Sequence, residues 1–261
     1  MDDKKILSVA QEAALRAGKY LKKAYGYGQR PEVEFKGDVD LVTEKDRESQ
    51  EIIYKIIKEN FPQHSILGEE DLNIEKDKEL LWLIDPIDGT TNFAHSLPMF
   101  CVSIAFLVEG KSRVGVVYVP LLEEMFYAAR GSGAFLNKKK ITVSKEKDLG
   151  KCLLATGFPY DRRESPENNV NHFNKFIVRA RGIRRIGSAA IDLAYTAAGR
   201  FDGFWEIKLY PWDTAAALLM VEEAGGKVTD FSNNPFDPFM KECVASNGQI
   251  HQRILKIINS G

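Results

Sequence analysis

Apolar residues between Lys4 and Ala24 recur at steps of three and four: Ile6, Val9, Ala13, Ala17, Leu21 and Ala24. That spacing puts them on one face of a helix, which Gly26 and Gly28 are expected to end. A second amphipathic helix is predicted to open at Thr43, with Asp46 three residues on as a capping partner. It buries Ile53, Ile56, Ile57 and Phe61 before Pro62. Beyond it the pattern shortens to the length of strands. Residues 65–68 and 80–84 are short apolar runs ending in polar residues, and 101–108 and 113–119 flank Glu109-Gly110-Lys111 as a hairpin. Residues 125–130 and 141–143 extend this strand-rich part. After Gly150, strand patterns at 152–156, 182–186, 202–205, 226–229 and 243–246 alternate with helical ones, which predicts a layered α/β second half. A charged, glycine-punctuated stretch near Lys147 is the expected boundary, dividing the chain into 1–147 and 148–261.

Composition narrows the class. The chain has 261 residues, 44% of them hydrophobic, enough for a substantial core. Its 36 Lys and Arg offset 37 Asp and Glu to a net charge of −1, so no overall field for polyanions is implied. Cys101, Cys152 and Cys243 lie far apart in apolar runs and read as buried thiols in a reducing compartment. No apolar run approaches the ~20 residues of a membrane span, and the N-terminus is charged. A cytoplasmic protein with no membrane association is expected. His64, His95, His172 and His251 lack the spacing of a zinc site, and Gly131-Ser132-Gly133 lacks the rest of a dinucleotide fingerprint. Zinc and nicotinamide chemistry are not expected.

Candidate chemistry gathers at Trp82-Leu83-Ile84-Asp85-Pro86-Ile87-Asp88-Gly89-Thr90-Thr91-Asn92-Phe93. An apolar run leads into two aspartates on either side of a proline, whose fixed φ pushes Asp85 toward extended backbone, while Gly89 permits a tight turn. The expectation is a strand end presenting both carboxylates on one rigid loop. Gly68-Glu69-Glu70 also follows a short apolar run, and Pro211-Trp212-Asp213 opens an alanine-rich helix. Taken singly, these acids also read as turn residues, solvated charges or a helix cap. Together they are hard oxygen ligands at element ends, the donor type that Mg²⁺ prefers, and phosphate is the usual companion of that ion.

These three segments resemble the signature regions of the inositol monophosphatase family, lithium-sensitive and magnesium-dependent sugar phosphatases. The likeness continues through Val39-Asp40-Leu41-Val42-Thr43, Gly131-Ser132-Gly133-Ala134-Phe135, Gly187-Ser188-Ala189-Ala190 and Glu222-Glu223-Ala224-Gly225-Gly226. One departure is Ala217, where the family usually has glycine. The resemblance implies a mixed α and β fold, a layered α-β-α-β-α sandwich, in a protein that is usually a homodimer. It implies hydrolysis of inositol monophosphate by direct in-line attack of a metal-activated water, with two or three Mg²⁺ ions. By the same resemblance, Glu69, Asp85 and the Ile87 carbonyl would hold one ion, and Asp85, Asp88 and Asp213 a second. A third, weaker ion would lie near Glu69. Thr90 would orient the water with Asp46 behind it, Gly89 and Thr90 would cradle phosphate, and Asp88, Gly187, Ser188, Ala189 and Glu206 would meet the polyol. Lys36 resembles a family lysine near the catalytic loop and reads equally well as a surface lysine.

Two alternatives stay open at this stage. Fructose 1,6-bisphosphate competes as substrate, alone or in a dual activity, whereas phosphoadenosine phosphate would need a purine-stacking site. The cluster Arg179, Arg181, Arg184 and Arg185 raises the further reading of a binding partner in an RNA or transcription complex; pairing with acids at a subunit interface is the expected use of these arginines.

Overall fold

A computed structural model describes residues 2–26, 34–35, 41–42, 44–70, 73–74 and 79–260. Lys36 and Thr43 lie outside the described residues, and with them the lysine assignment and the capping partnership expected of Asp46.

The first predicted helix is α1, Asp3–Ala24. Asp2 caps it, its carboxylate accepting the Lys4 and Lys5 amides at 3.0 and 3.2 Å, which answers two of the four amides that a helix start leaves open. The second is α2, Glu44–Asn60. Between them lies a short antiparallel pair, β1 (Glu34–Phe35) with β2 (Leu41–Val42). The larger sheet comprises β3 (Ser65–Gly68), β4 (Asn73–Ile74), β5 (Leu80–Asp88), β6 (Cys101–Val108), β7 (Lys111–Val119), β8 (Glu124–Ala129), β9 (Gly133–Leu136) and β10 (Lys139–Ile141). Its spatial order is β10-β9-β8-β7-β6-β5-β3-β4. A five-residue helix, α3 (Thr90–Ala94), joins β5 to the run into β6. The β6–β7 hairpin turns at Glu109 and Gly110, with φ of 50° and 76°, the left-handed pair that a two-residue hairpin requires.

The later part follows the alternation read from the sequence: β11 (Leu153–Thr156), α4 (Val170–Ile177), β12 (Gly182–Arg184), α5 (Ala189–Ala197), β13 (Gly203–Ile207), α6 (Pro211–Glu223), β14 (Lys227–Thr229), β15 (Glu242–Ser246) and α7 (His251–Ile258). The second sheet has the order β12-β11-β13-β15-β14, parallel where β11 meets β12 and β13, antiparallel elsewhere.

Side-chain patterning stacks these elements into five layers, α-β-α-β-α. On the outer face of the larger sheet, α1 and α2 bury Ile6, Leu21, Ile53 and Ile57 against Trp82, Phe106 and Val116. On its inner face lie α5 and α6, which face the second sheet through Phe204 and Ala245. Helix α6 is buried from Thr214 to Val221, as befits a helix that is apolar on all sides and enclosed between two sheets. Gly115 of β7 permits this closeness: a Cβ there would stand 2.9 Å from the Ala216 α-carbon. Ala217 is fully buried in the same layer. The fifth layer is α4 with α7, packed on the far side through Phe176, Trp205 and Ile254.

Two expectations differ in detail. The final strand of the larger sheet is Lys139–Ile141, set by pairing of Ile141 with Ala134, so it closes where 141–143 was expected to begin. Strand β5 does not end at Ile84 in a loop; it runs to Asp88.

Candidate active site

Sheet register explains how acids distant in sequence meet. Strands β3 and β5 run parallel with Gly68 opposite Ile84, so Glu69, just past the end of β3, lies beside Asp85 of β5. The Glu69 amide donates to the Ile84 carbonyl at 3.1 Å and fixes that pairing. Along the other edge of β5, Asp85 pairs with Ser103 and Asp88 with Cys101, three steps against two. The extra residue is a bulge at Pro86-Ile87, where a proline without an N–H is tolerated and where pairing can resume beyond it. This is why the two aspartates stand on a continuing strand. The Asp85 carboxylate accepts the Ile87 amide at 3.0 Å and stiffens the bulge.

Asp213 reaches the same place from the start of α6. Its carboxylate accepts the Tyr210 amide at 2.9 Å, so it caps its helix while also lining the cavity. The acid is both a helix cap and part of the cavity wall.

Gly89 begins α3 at φ 102°, and a Cβ there would lie 3.0 Å from the Met99 carbonyl, so both conformation and space call for glycine. The hydroxyl of Thr90 lies 3.0 Å from Asp46 Oδ1 and 3.0 Å from the Ile87 carbonyl. Asp46 comes from the buried face of α2 and is itself fully buried. Gln50, one turn further along, clasps Glu70: its Oε1 accepts the Glu70 amide at 3.1 Å and its Nε2 donates to the Glu70 carbonyl. Glu70 is therefore buried structure, and Glu69 alone of this pair faces the cavity.

The start of α5 closes around Asp88. Ser188 donates its hydroxyl to Asp88 Oδ2 at 2.7 Å and accepts the Ile191 amide at 3.2 Å, while the Ala190 amide donates to Asp88 Oδ2 at 2.6 Å. Asn92 of α3 donates to the carbonyls of Met99 (2.6 Å) and Ile186 (2.9 Å), tying the Gly187 turn to the strand-end bulge. Glu69, Asp85, Asp88 and Asp213 thus border one cavity of ≈ 580 Å³, which Gly187, Ser188, Ala189 and Glu206 also line.

Asp192, Arg185 and Gly157 also line the cavity, and the sequence reading placed none of them in the site. Asp192 of α5 is 1% exposed, and its Oδ1 has no hydrogen-bond partner. Its signal was a single charge inside an otherwise apolar helix. Arg185, read with Arg179, Arg181 and Arg184 as one basic cluster, is exposed like the other three but also lines the cavity. Gly157, at the end of β11, lies directly against the Glu206 carboxyl group.

Crowded acids in a desolvated cavity resist ionisation. Burial, followed by the charges of Glu69, Asp88 and Asp213, pushes the Asp85 carboxyl well above the carboxylate range. Burial and then Asp88 do the same to Asp213. Asp88 is pushed up to about 6 by burial, opposed by hydrogen bonds from Ser188 and Ala190 and by Arg185. Glu206 is pushed up to about 8 by burial and Asp88, against Arg185, and Asp192 rises by burial and Glu206. Burial, aided by Asp88, raises the thiol of Cys101, which lies 3.5 Å from the Ser188 hydroxyl, so the sulfur stays protonated.

The donor chemistry fits a hard cation. The acids supply only oxygen, and the pressure to protonate is the pressure that a divalent ion relieves. Among the described residues no three acid, histidine or cysteine side chains form a ready-made cage for one ion.

Comparison with known proteins agrees with this geometry. The family model described as "Inositol monophosphatase family" matches residues 2–261. An inositol-1-monophosphatase of Synechocystis sp. is 46% identical over 250 residues, covering 95% of this chain and 86% of that protein. The Nus factor SuhB of Escherichia coli is 42% identical over 251 residues, covering 96% and 94%. Among solved structures, an inositol monophosphatase from Anabaena (Nostoc) sp. superposes with a TM-score of 0.89 at 44% identity, covering 98% of this chain and 95% of that one. The chain belongs to the inositol monophosphatase family and is a phosphatase.

Proposed function

We propose that this protein is a Mg²⁺-dependent phosphomonoesterase that hydrolyses inositol monophosphate, with fructose 1,6-bisphosphate as the competing or additional substrate. One observation carries the reading: Glu69, Asp85, Asp88 and Asp213 converge on a single cavity, where burial and the neighbouring acids push the Asp85 and Asp213 carboxyls well above the carboxylate range. Such a set is stable in its charged form only beside cations, and a phosphate monoester adds about −2 more.

Glu69, Asp85 and the Ile87 carbonyl would hold one ion, and Asp85, Asp88 and Asp213 another, with room in the charge balance for a third. When bound, Mg²⁺ would acidify the attacking water and neutralise charge on the phosphate and the departing alkoxide. Thr90 would orient that water: with its single proton given to Asp46, a hydroxyl lone pair is left to accept from the water. The amides of Gly89 and Thr90, at the start of α3, would cradle the phosphate. Glu206, with the Ala189 turn, would receive polyol hydroxyls. Segments 1–147 and 148–261 would then be two halves that share one site.

Phosphate release from inositol 1-phosphate, fructose 1,6-bisphosphate and phosphoadenosine phosphate, each with and without Mg²⁺, ranks the substrates. Mg²⁺-dependent release from inositol phosphate supports the reading. A faster rate on fructose bisphosphate would exchange the first two substrates, and no release from any would remove it.

A second reading is favoured by a surface feature: Arg179, Arg181 and Arg184 are exposed beside Ile177 and Val178, the latter 77% exposed. The E. coli relative named as a Nus factor makes assembly with a transcription complex worth testing in a cytoplasmic setting, as does self-association through the same face as a homodimer. RNA binding by the wild type and an Arg181→Ala, Arg184→Ala variant across several salt concentrations separates them. Loss of salt-dependent binding supports the RNA role, and a shift from dimer to monomer supports the interface. No helix among the described residues is long and apolar enough to cross a membrane.

A further inference from the structure

Strands β11 and β13 repeat on the second sheet the arrangement that joins Glu69 to Asp85. They run parallel with Thr156 opposite Trp205, so Gly157, just past the end of β11, lies beside Glu206 of β13, whose other edge is held by pairing with Cys243 of β15. Here one of the two has no side chain, and the carboxyl group of the other fills the space. A Cβ on Gly157 would overlap both carboxyl oxygens of Glu206. Gly157 is not among the glycines of positive φ, so its backbone would accept alanine. What demands glycine at 157 is therefore the seat of the Glu206 carboxyl group.

That seat is held from behind by a buried polar network. Asn169, 3% exposed at the N-cap of α4, donates to the Gly157 carbonyl at 2.6 Å and to the Thr156 hydroxyl at 2.8 Å. It accepts the Trp205 indole N–H at 2.9 Å, and the Thr156 hydroxyl donates to the Trp205 carbonyl at 2.5 Å. Asn169 thus ties Trp205, the residue before Glu206, to the carbonyl of Gly157. Thr156 and Trp205 are fully buried and Asn169 nearly so, and a buried network with its donors and acceptors matched holds one arrangement.

We propose that Gly157, positioned by Asn169, determines selectivity for the leaving group by fixing the direction in which Glu206 presents its carboxyl oxygens to the cavity. This rests on the reading above that Glu206 meets hydroxyls of the polyol. Gly157 and Asn169 are positioning residues that act through Glu206 and have no part in the attack on phosphorus.

The test uses the Mg²⁺-loaded full chain and two phosphate monoesters, inositol 1-phosphate and p-nitrophenyl phosphate, whose leaving group carries no further hydroxyl. In Gly157→Ala, the ratio of kcat/KM for inositol phosphate to that for p-nitrophenyl phosphate is expected to fall roughly tenfold, chiefly through KM. In a Glu206→Ala background, adding Gly157→Ala should change the ratio by less than about twofold, since the carboxyl group it displaces is gone. Should Gly157→Ala not fold, as judged by its melting curve, Asn169→Ser releases the Gly157 carbonyl and carries the same comparison. An equal loss on both substrates, or a ratio kept within about twofold while Glu206→Ala lowers it, overturns the proposal. If Glu206→Ala itself leaves the ratio in place, the reading of Glu206 falls and takes the proposal with it.

Discussion

The hydroxyl of Thr90 stands 3.0 Å from Asp46, 44 positions earlier in the chain and fully buried on α2. Two elements that share no local sequence pattern meet at one proton. Since that hydroxyl can donate to Asp46 or to the Ile87 carbonyl, the carboxylate decides which way its lone pairs face. Thr90→Ser keeps this choice and should retain kcat within about tenfold. Thr90→Val removes it and should lower kcat by ~10²-fold or more with little change in KM, the size typical of a lost acid-base partner. Steady-state phosphate release checks both.

Magnesium should stabilise the fold, and more so at higher pH. In the protein alone, Asp85, Asp88 and Asp213 have folded pKa values above their ordinary ones, about 6 for Asp88. For a group raised in this way, the stabilisation is complete below the unfolded pKa and is lost as pH rises through the folded value. Cations compete with those protons, so the Mg²⁺-induced rise in Tm should be small near pH 5 and clearly larger near pH 8. Calorimetric melts at 10 mM Mg²⁺, roughly a saturating level for a site of this type, decide it; an equal shift at both pH values would count against the acid cluster as the binding site.

His251 gives the opposite slope. Buried between the Thr229 and Ser246 hydroxyls at 2.9 Å each, it is pushed down to about 4 by burial and Lys227. A lowered histidine contributes stability that is present above its ordinary pKa of 6.5 and lost as pH falls toward 4. The difference in stability between wild type and His251→Gln, followed by urea unfolding, should therefore shrink as pH drops from 6.5 to 4.

Gly115→Ala tests whether packing sets the position of Asp213. The added methyl would press on the backbone of α6 at Ala216, one turn beyond the acid. Overpacking of this kind costs about 1–3 kcal/mol, or roughly 2–4 °C per kcal/mol for a chain of this size. Weaker activation by Mg²⁺ should accompany the lower Tm, whereas a variant with altered Tm and unchanged Mg²⁺ response would separate the two.

What the sequence disclosed follows from what is local in it. The faces of α1 and α2, the β6–β7 turn at Gly110 and the alternation after Gly150 depend on neighbouring residues, and their periodicity exposed them. Asp85 and Asp88 were legible because proline and glycine punctuate their run. Asp46 and Thr90, or Glu69 and Asp85, required the resemblance to a family to be placed together, since strand pairing and helix packing join them across long separations. The bulge at Pro86-Ile87 escaped notice because it exists only relative to β6. Gly157 was silent for a related reason: its need for glycine comes from Glu206, 49 positions on by sequence numbering, and not from its own φ. Asp192 could have been found as the one charge in an apolar helical run.

The central claim is that the carboxylates around Asp85 act by holding Mg²⁺. The most direct measurement is phosphate release from inositol 1-phosphate as a function of Mg²⁺ for the wild type, Asp85→Asn and Asp213→Asn, each first shown to be folded. The account predicts no release without Mg²⁺, a saturable rise for the wild type, and for both variants a loss of ~10²-fold or more with a higher Mg²⁺ requirement. Metal-independent release by the wild type, or wild-type activity in folded Asp85→Asn, would contradict it.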